Sequence, residues 1–212
     1  MIYPKGIKKG DTIGIIAPSS PFKSATLDEI EISLNNLGYN IKFGKSCYSS
    51  YKGYLSSKDY IRAKDIEDMF LDKTIDGIFC IRGGYGTSRI LDLIDYDIIK
   101  NNPKFFVGFS DITGLHIAFN KYANLVTFHG AMAGTSYKWD EFTYNSLINA
   151  LNNNVTKFEN PNSEPIYTVV KGECEGELIG GNLALITSSI GTKYEIDAKG
   201  KILFIEDIGE SI

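Results

Sequence analysis

Apolar runs of strand length alternate with segments of helical periodicity over about the first 150 residues. Thr12–Ala17 and Gly77–Ile81 are continuous apolar runs, which are typical of strands buried on both faces. We predict strands over residues 12–17, 39–43, 77–81, 105–109 and 125–128. A further strand pattern, Lys201–Ile205, comes near the end of the chain.

Helical patterns separate these strands. After Thr26, the residues Ile30 and Leu34 recur at helical spacing, and Ser57 and Thr87 have the residue types preferred as N-caps of two further helices. Two more helices are predicted over residues 112–122 and 141–151. Because apolar strands that alternate with helices form parallel sheets covered on both faces, the sequence predicts an α/β domain with a doubly wound parallel sheet.

The composition changes after residue 151. Asn152–Pro165 is polar and contains two prolines, as expected of a linker, and glycines punctuate the short segments beyond it. We therefore predict an α/β domain over residues 1–151, a linker over 152–171 and the start of an incomplete, β-rich second domain over 172–212.

Charge and cysteine content narrow the classes of partner. The 22 Lys and Arg residues against 26 Asp and Glu give a net charge of −4, so the basic surplus of a nucleic-acid or membrane-surface binder is absent. The three cysteines form no C-x-x-C pair, which argues against a zinc site or a disulfide framework.

The chain begins without the apolar region of a signal peptide and lacks an apolar stretch of the ~18 residues that a membrane span needs. We therefore expect a cytoplasmic protein.

Polar and glycine-rich loops follow four of the predicted strands. Since ligands bind beyond the carboxyl ends of the strands in an open parallel sheet, these loops define the candidate site. The loops are Ala17–Pro21, Arg82–Thr87, Ser110–Asp111 and His129–Gly130.

Each of these loops has a functional and a structural interpretation. Ser110 at a strand-to-helix turn is either a nucleophile or, like Asp111, an N-cap. The glycines of Arg82–Gly86 either present amides to an oxyanion or form a tight turn. His116 lies within a predicted helix and is expected to have no catalytic role. His129 lies at a strand end and is the better candidate for a catalytic role.

The order and spacing of several motifs resemble the LD-carboxypeptidase family, the serine peptidases that include microcin C self-immunity proteins. The motifs are Ile15–Ser20, Arg62–Ala63, Asp76–Phe79, Arg82–Gly86, Gly108–Thr113, Thr127–Gly130, Gly176–Leu183 and Leu203–Glu210. The resemblance implies a Ser-Glu-His triad in which Ser110 is the nucleophile and Glu206 orients the histidine. It also implies that backbone amides of Gly84 and Asp111 form the oxyanion hole.

The remaining expectations follow from the same resemblance. We assign Arg82, Gly83, Tyr85 and His129 to substrate binding and expect no metal or organic cofactor. The implied activity is hydrolysis of the bond between an L-amino acid and the terminal D-alanine of murein tetrapeptides during cell-wall recycling. The alternatives are hydrolysis of a peptide-nucleotide antibiotic, for which Trp139 is a candidate aromatic platform, and a catalytically dead fragment. The small peptide substrate is the expected partner, and homodimer formation is a further expectation.

The resemblance is incomplete in one respect. The family's catalytic histidine lies well after the position of Glu206, and no residue of this chain matches it. The chain thus resembles a family member that lacks its C-terminal part. We therefore expect the 212-residue chain to be inactive as a peptidase.

Overall fold

The computed structural model describes residues 1–22, 26–152, 160 and 165–209. Its main sheet consists of five parallel strands in the order β2-β1-β3-β4-β5. These strands are β1 (Thr12–Ile16), β2 (Asn40–Phe43), β3 (Gly77–Cys80), β4 (Phe105–Gly108) and β5 (Phe128–His129). The parallel α/β sheet predicted from the sequence is thereby confirmed.

Helices and apolar side chains cover this sheet on both faces. The helices are α1 (Leu27–Asn36), α2 (Asp59–Leu71), α3 (Tyr96–Asn101), α4 (Thr113–Ala123), α5 (Glu141–Leu151) and α6 (Leu183–Ser188). Along β3, Ile78 and Cys80 belong to one buried cluster, whereas Phe79 and the following Ile81 belong to the other. Alternation between two cores explains why every position of this strand is apolar.

Two helix starts differ from the sequence prediction. No α-helix begins at Thr87; two short 3₁₀ turns follow instead, and α3 begins later, where the Asp95 side chain accepts a hydrogen bond from the Asp97 N–H. Ser57 is not an N-cap either, because α2 begins at Asp59 and Lys58 occupies the capping position. Thr87 instead bonds to the distant Asp111 through its N–H and its hydroxyl, whereas the Ser57 carbonyl oxygen accepts a local hydrogen bond from the Arg62 side chain.

A second, two-stranded parallel sheet consists of β6 (Leu178–Asn182) and β7 (Ile202–Glu206). Gly180 has a φ of 145°, and a Cβ there would overlap with the backbone of Phe204 on the neighbouring strand. The sheet packs near the start of α4, where the Asn182 N–H donates a hydrogen bond of 3.0 Å to the Thr113 hydroxyl.

Among the helices of the described residues, none is long and apolar enough to cross a membrane.

Arg62 is a fully buried arginine that connects the loops after β1 and β3. Its guanidinium donates to the carbonyl oxygens of Pro18 and Gly86, and it forms an ion pair of 2.5 Å with Asp59. Asp59 also pairs with the more exposed Arg89 at 2.7 Å. Because buried carbonyls need hydrogen-bond donors, Arg62 fixes the spacing of two loops at the carboxyl edge of the sheet.

We expect Arg62→Met to lower the free energy of unfolding by about 3 kcal/mol, because it leaves buried carbonyl oxygens without their donor. Urea unfolding followed by circular dichroism measures this change. Arg89→Met is the matched control: it removes the second partner of the same aspartate from the protein surface, and it should have the smaller effect. Equal effects of the two substitutions would contradict the role of Arg62.

Candidate active site

Ser110 has a left-handed backbone conformation at the turn between β4 and α4. Its φ is 64°, a value that residues other than glycine seldom adopt. A 3₁₀ turn, Ser110–Ile112, begins there without a side-chain cap, so the structure does not support the N-cap interpretation of Ser110 or Asp111. A serine in this conformation at a strand-to-helix turn has the geometry of a nucleophile elbow, in which the hydroxyl lies at the carboxyl edge of the sheet.

The glycine loop after β3 packs directly against this serine. A Cβ added to Gly83 would lie 3.1 Å from the Ser110 Oγ and 3.3 Å from the Asp111 backbone nitrogen. Gly84 has a φ of 117°, and a Cβ there would overlap with the Ser20 side chain. Glycine is therefore required at position 84, whereas a side chain at position 83 would fit only if the serine shifted by a few tenths of an ångström.

The Asp111 carboxylate connects three loops beneath the serine. Asp111 is only 2% exposed, and it accepts hydrogen bonds from the Ser19 hydroxyl at 2.6 Å and the Thr87 N–H at 2.9 Å. Burial raises the pKa of this carboxyl group above its ordinary value, and these hydrogen bonds oppose the shift. The carboxylate is thus committed to structure, which leaves the Asp111 backbone N–H as its contribution at the serine.

Glu206 and His129 lie near each other at the same edge. β4 pairs with β5 so that Gly108 lies opposite His129, and the Nε2 atom of His129 is 3.9 Å from the Oε1 atom of Glu206. This distance exceeds that of a hydrogen bond. The Glu206 Oε1 atom is buried and has no hydrogen-bond partner among the described residues. Burial lowers the pKa of His129, and the Glu206 carboxylate acts in the opposite direction.

Comparison with known proteins identifies the family. A model of the LD-carboxypeptidase N-terminal domain matches residues 13–130, and a model of the C-terminal domain matches residues 175–212. The chain belongs to the LD-carboxypeptidase family. A protein of Bacillus subtilis (strain 168) named "Probable murein peptide carboxypeptidase" is 43% identical over 213 residues, which cover 98% of this chain and 65% of that protein. The chain therefore spans less than two thirds of the length of this relative.

Solved structures of LD-carboxypeptidase relatives have the same fold. An MccF-like protein from Bacillus anthracis strain Ames superimposes with a TM-score of 0.87 at 28% identity, over 97% of this chain and 69% of that one. The microcin C7 self-immunity protein MccF, as an inactive mutant without ligand, gives a TM-score of 0.79 at 27% identity, over 95% of this chain and 69% of that one.

Within this member of the LD-carboxypeptidase family, the sequence-predicted site residues occupy two neighbouring groups. Ser110, Asp111, Gly83 and Gly84 lie together, whereas Glu206 lies beside His129. Arg82 and Tyr85 are exposed on the glycine loop. Sequence analysis placed Ser19, Ser20 and Thr87 in candidate loops and Arg62 in a motif, but it did not predict that these residues position the glycine loop. The polar residues that follow β1 were the sequence feature that could have indicated this positioning role.

His116 is a structural residue, as the sequence analysis expected. Its Nε2 atom lies 2.8 Å from the Gly108 carbonyl oxygen, and its Nδ1 atom lies 2.8 Å from the Thr127 hydroxyl. A carbonyl oxygen can only accept, so Nε2 carries the proton and Nδ1 accepts from Thr127. Burial lowers the pKa of His116 to about 4, so the ring is neutral at pH 7.

Trp139, the candidate aromatic platform, is only partly accessible to a ligand. Trp139 is partly buried, packs against one of the two cores and donates a hydrogen bond to the Thr135 hydroxyl. This packing favours a structural role over an aromatic platform. The described residues contain no cluster of three or more His, Cys, Asp or Glu side chains arranged to bind a metal ion.

His116 should make stability depend on pH. Its pKa is lowered in the folded state, so its contribution is fully present above the unfolded value of ~6.5 and is lost as the pH falls towards about 4. Between pH 7 and pH 4.5 we expect the wild type to lose about 2 kcal/mol more unfolding free energy than His116→Gln. Urea titrations at both pH values test this. His129→Gln, in which the more deeply buried His116 is intact, should keep most of the wild-type dependence and lose only the part that the lowered pKa of His129 contributes. Equal slopes for wild type and His116→Gln would contradict the assignment.

Proposed function

We propose that this chain carries the nucleophile of a serine carboxypeptidase that hydrolyses the bond between an L-amino acid and the terminal D-alanine of murein tetrapeptides. The observation that carries the proposal is the left-handed Ser110 beside the Gly83–Gly84 loop. The similarity to a relative named as a murein peptide carboxypeptidase supports the choice of substrate.

The proposed reaction is acyl transfer through a covalent intermediate. The Ser110 Oγ atom attacks the carbonyl carbon, a base accepts the hydroxyl proton, and the backbone N–H groups of Gly84 and Asp111 stabilise the tetrahedral oxyanion. The carbon–nitrogen bond then breaks, and the proton passes to the leaving amine of D-alanine. Water hydrolyses the resulting acyl-serine by the same steps, which releases the shortened peptide and restores the serine.

Glu206 is proposed to orient the imidazole that acts as the base. Its buried Oε1 atom lacks a hydrogen-bond partner among the described residues, and a carboxylate oxygen in that state is ready to accept from an imidazole N–H. Neither histidine of this chain matches the family's catalytic histidine. His116 uses both ring nitrogens within the domain, so His129 is the one imidazole of the chain that remains a candidate base.

A second candidate function is hydrolysis of a peptide-nucleotide antibiotic. The similarity of the fold to the microcin C7 self-immunity protein favours it. The packing of the partly buried Trp139 against the core argues against its use as an aromatic platform for a base. Turnover of a murein tetrapeptide and of an aminoacyl-sulfamoyl nucleoside analogue by the same full-length protein separates the two functions.

We expect Ser110→Ala to lower kcat by several orders of magnitude with little change in KM, because it removes the attacking atom. The measurement is release of D-alanine from murein tetrapeptide by the full-length protein. Asp111→Asn is the matched control: it keeps the backbone N–H and an oxygen that accepts from Ser19 and Thr87, so its effect should be much milder. Near-normal turnover by Ser110→Ala would rule out the nucleophile.

We expect the 212-residue chain alone to release D-alanine at no more than a trace rate, because neither of its histidines matches the family's catalytic histidine and a serine hydroxyl without a base is a poor nucleophile. A serine site without its base still gains ~10³–10⁴-fold over water from oxyanion binding, so the comparison must be with the full-length protein. Comparable rates for the two chains would contradict the expectation. Loss of that activity in His129→Ala would then identify His129 as the base.

A further inference from the structure

Arg82 lies on the glycine loop, one residue before the glycine that contacts the nucleophile. Its Nε atom donates to the Gly83 carbonyl oxygen at 3.2 Å, and its guanidinium also donates to the Pro21 carbonyl oxygen at 3.2 Å. The side chain therefore bridges the loops after β1 and β3 while remaining exposed. These contacts place an exposed cation on the loop whose Gly83 packs against Ser110.

The charge of Arg82 is not compensated within the described part of the chain. The sequence contains three arginines, and the other two, Arg62 and Arg89, both form ion pairs with Asp59. Arg82 instead donates to two neutral carbonyl oxygens and forms no ion pair with a described residue. A guanidinium has five N–H donors, so about three remain for a ligand.

We propose that the Arg82 guanidinium binds the free α-carboxylate of the terminal D-amino acid and thereby restricts hydrolysis to the last peptide bond. This inference rests on the proposed function, because it assumes that Ser110 attacks the adjacent carbonyl. In such a substrate the carboxylate lies one residue beyond the scissile carbonyl, and neighbouring Cα atoms are ~3.8 Å apart. Arg82 directly precedes Gly83, which packs against Ser110, so its exposed guanidinium is carried by the same loop that contacts the serine.

The chemistry of the two groups supports this pairing. A guanidinium offers two parallel N–H groups to a carboxylate, and this bidentate geometry is both stronger and more directional than a contact between neutral groups. The carbonyl contacts to Gly83 and Pro21 fix the side chain before substrate binds, which lowers the entropy lost on binding. A carboxamide or a longer peptide presents no negative charge at that position, so both should be poor substrates.

The test compares a murein tetrapeptide with the same peptide ending in a carboxamide, using the full-length protein. Release of D-alanine or D-alaninamide is quantified by mass spectrometry. We expect the wild type to prefer the free acid, and Arg82→Gln to lower kcat/KM for the acid by about 10- to 100-fold with little effect on the amide. Arg82→Lys should recover part of the preference, because it keeps the charge but not the fork of donors.

Arg89→Gln is the matched control, since it removes a nearby arginine, in the 3₁₀ turn that follows the loop, that is already paired with Asp59. It should leave the ratio of acid to amide unchanged. An equal loss on both substrates in Arg82→Gln would overturn the inference and show that Arg82 only supports the loops. A wild type that discriminates between acid and amide no better than Arg82→Gln would overturn it as well.

A binding measurement separates this inference from the proposed function. In Ser110→Ala, calorimetric titration should show tighter binding of the free-acid peptide than of the amide, and Arg82→Gln in that background should abolish the difference. If the wild type hydrolyses neither peptide but the charge-dependent binding is present, the proposed function fails while the Arg82 contact stands. Binding that is equal for acid and amide would overturn the contact itself.

Discussion

The peptide group between Gly86 and Thr87 lies between two buried charges, and the rest of the site depends on this arrangement. Its carbonyl oxygen accepts a hydrogen bond of 2.9 Å from the Arg62 guanidinium, and its N–H donates one of 2.9 Å to the Asp111 carboxylate. The peptide dipole thus presents its negative end to the cation and its positive end to the anion. Each charge is stabilised away from water, and the loop after β3 is fixed beside the serine.

Arg62 and Asp111 also form hydrogen bonds with the loop after β1. Arg62 donates to the Pro18 carbonyl oxygen, and Asp111 accepts from the hydroxyl of the next residue, Ser19. Two loops are therefore bound at adjacent residues by one cation and one anion. Glycine at positions 83 and 84 then allows these loops to approach the serine closely.

The sequence predicted the elements that local pattern determines and missed those that distant contacts determine. Strands such as β3 were recognisable because successive residues, Ile78 and Phe79, pack into the cores on opposite faces of the sheet. The fifth strand was predicted over 125–128 but comprises Phe128–His129. The prediction of a helix beginning at Thr87 was wrong. The N–H and the hydroxyl of Thr87 both form hydrogen bonds to Asp111, 24 residues away. Ser110 could be proposed from its place after a strand, but its left-handed φ could not. The nearness of His129 to Glu206 was equally hidden, since it depends on how the second sheet packs.

Ser19 and Asp111 touch although 92 residues separate them along the chain. The surroundings of Ser110 consist of loops from strands that are distant in sequence, so no local segment can form them by itself. Contacts of this kind form only after long loops have closed, which places them late in folding. While the protein is being synthesised, Ser110 is therefore an ordinary, weakly reactive alcohol. The arrangement of loops around Ser110 therefore forms only together with the completed sheet.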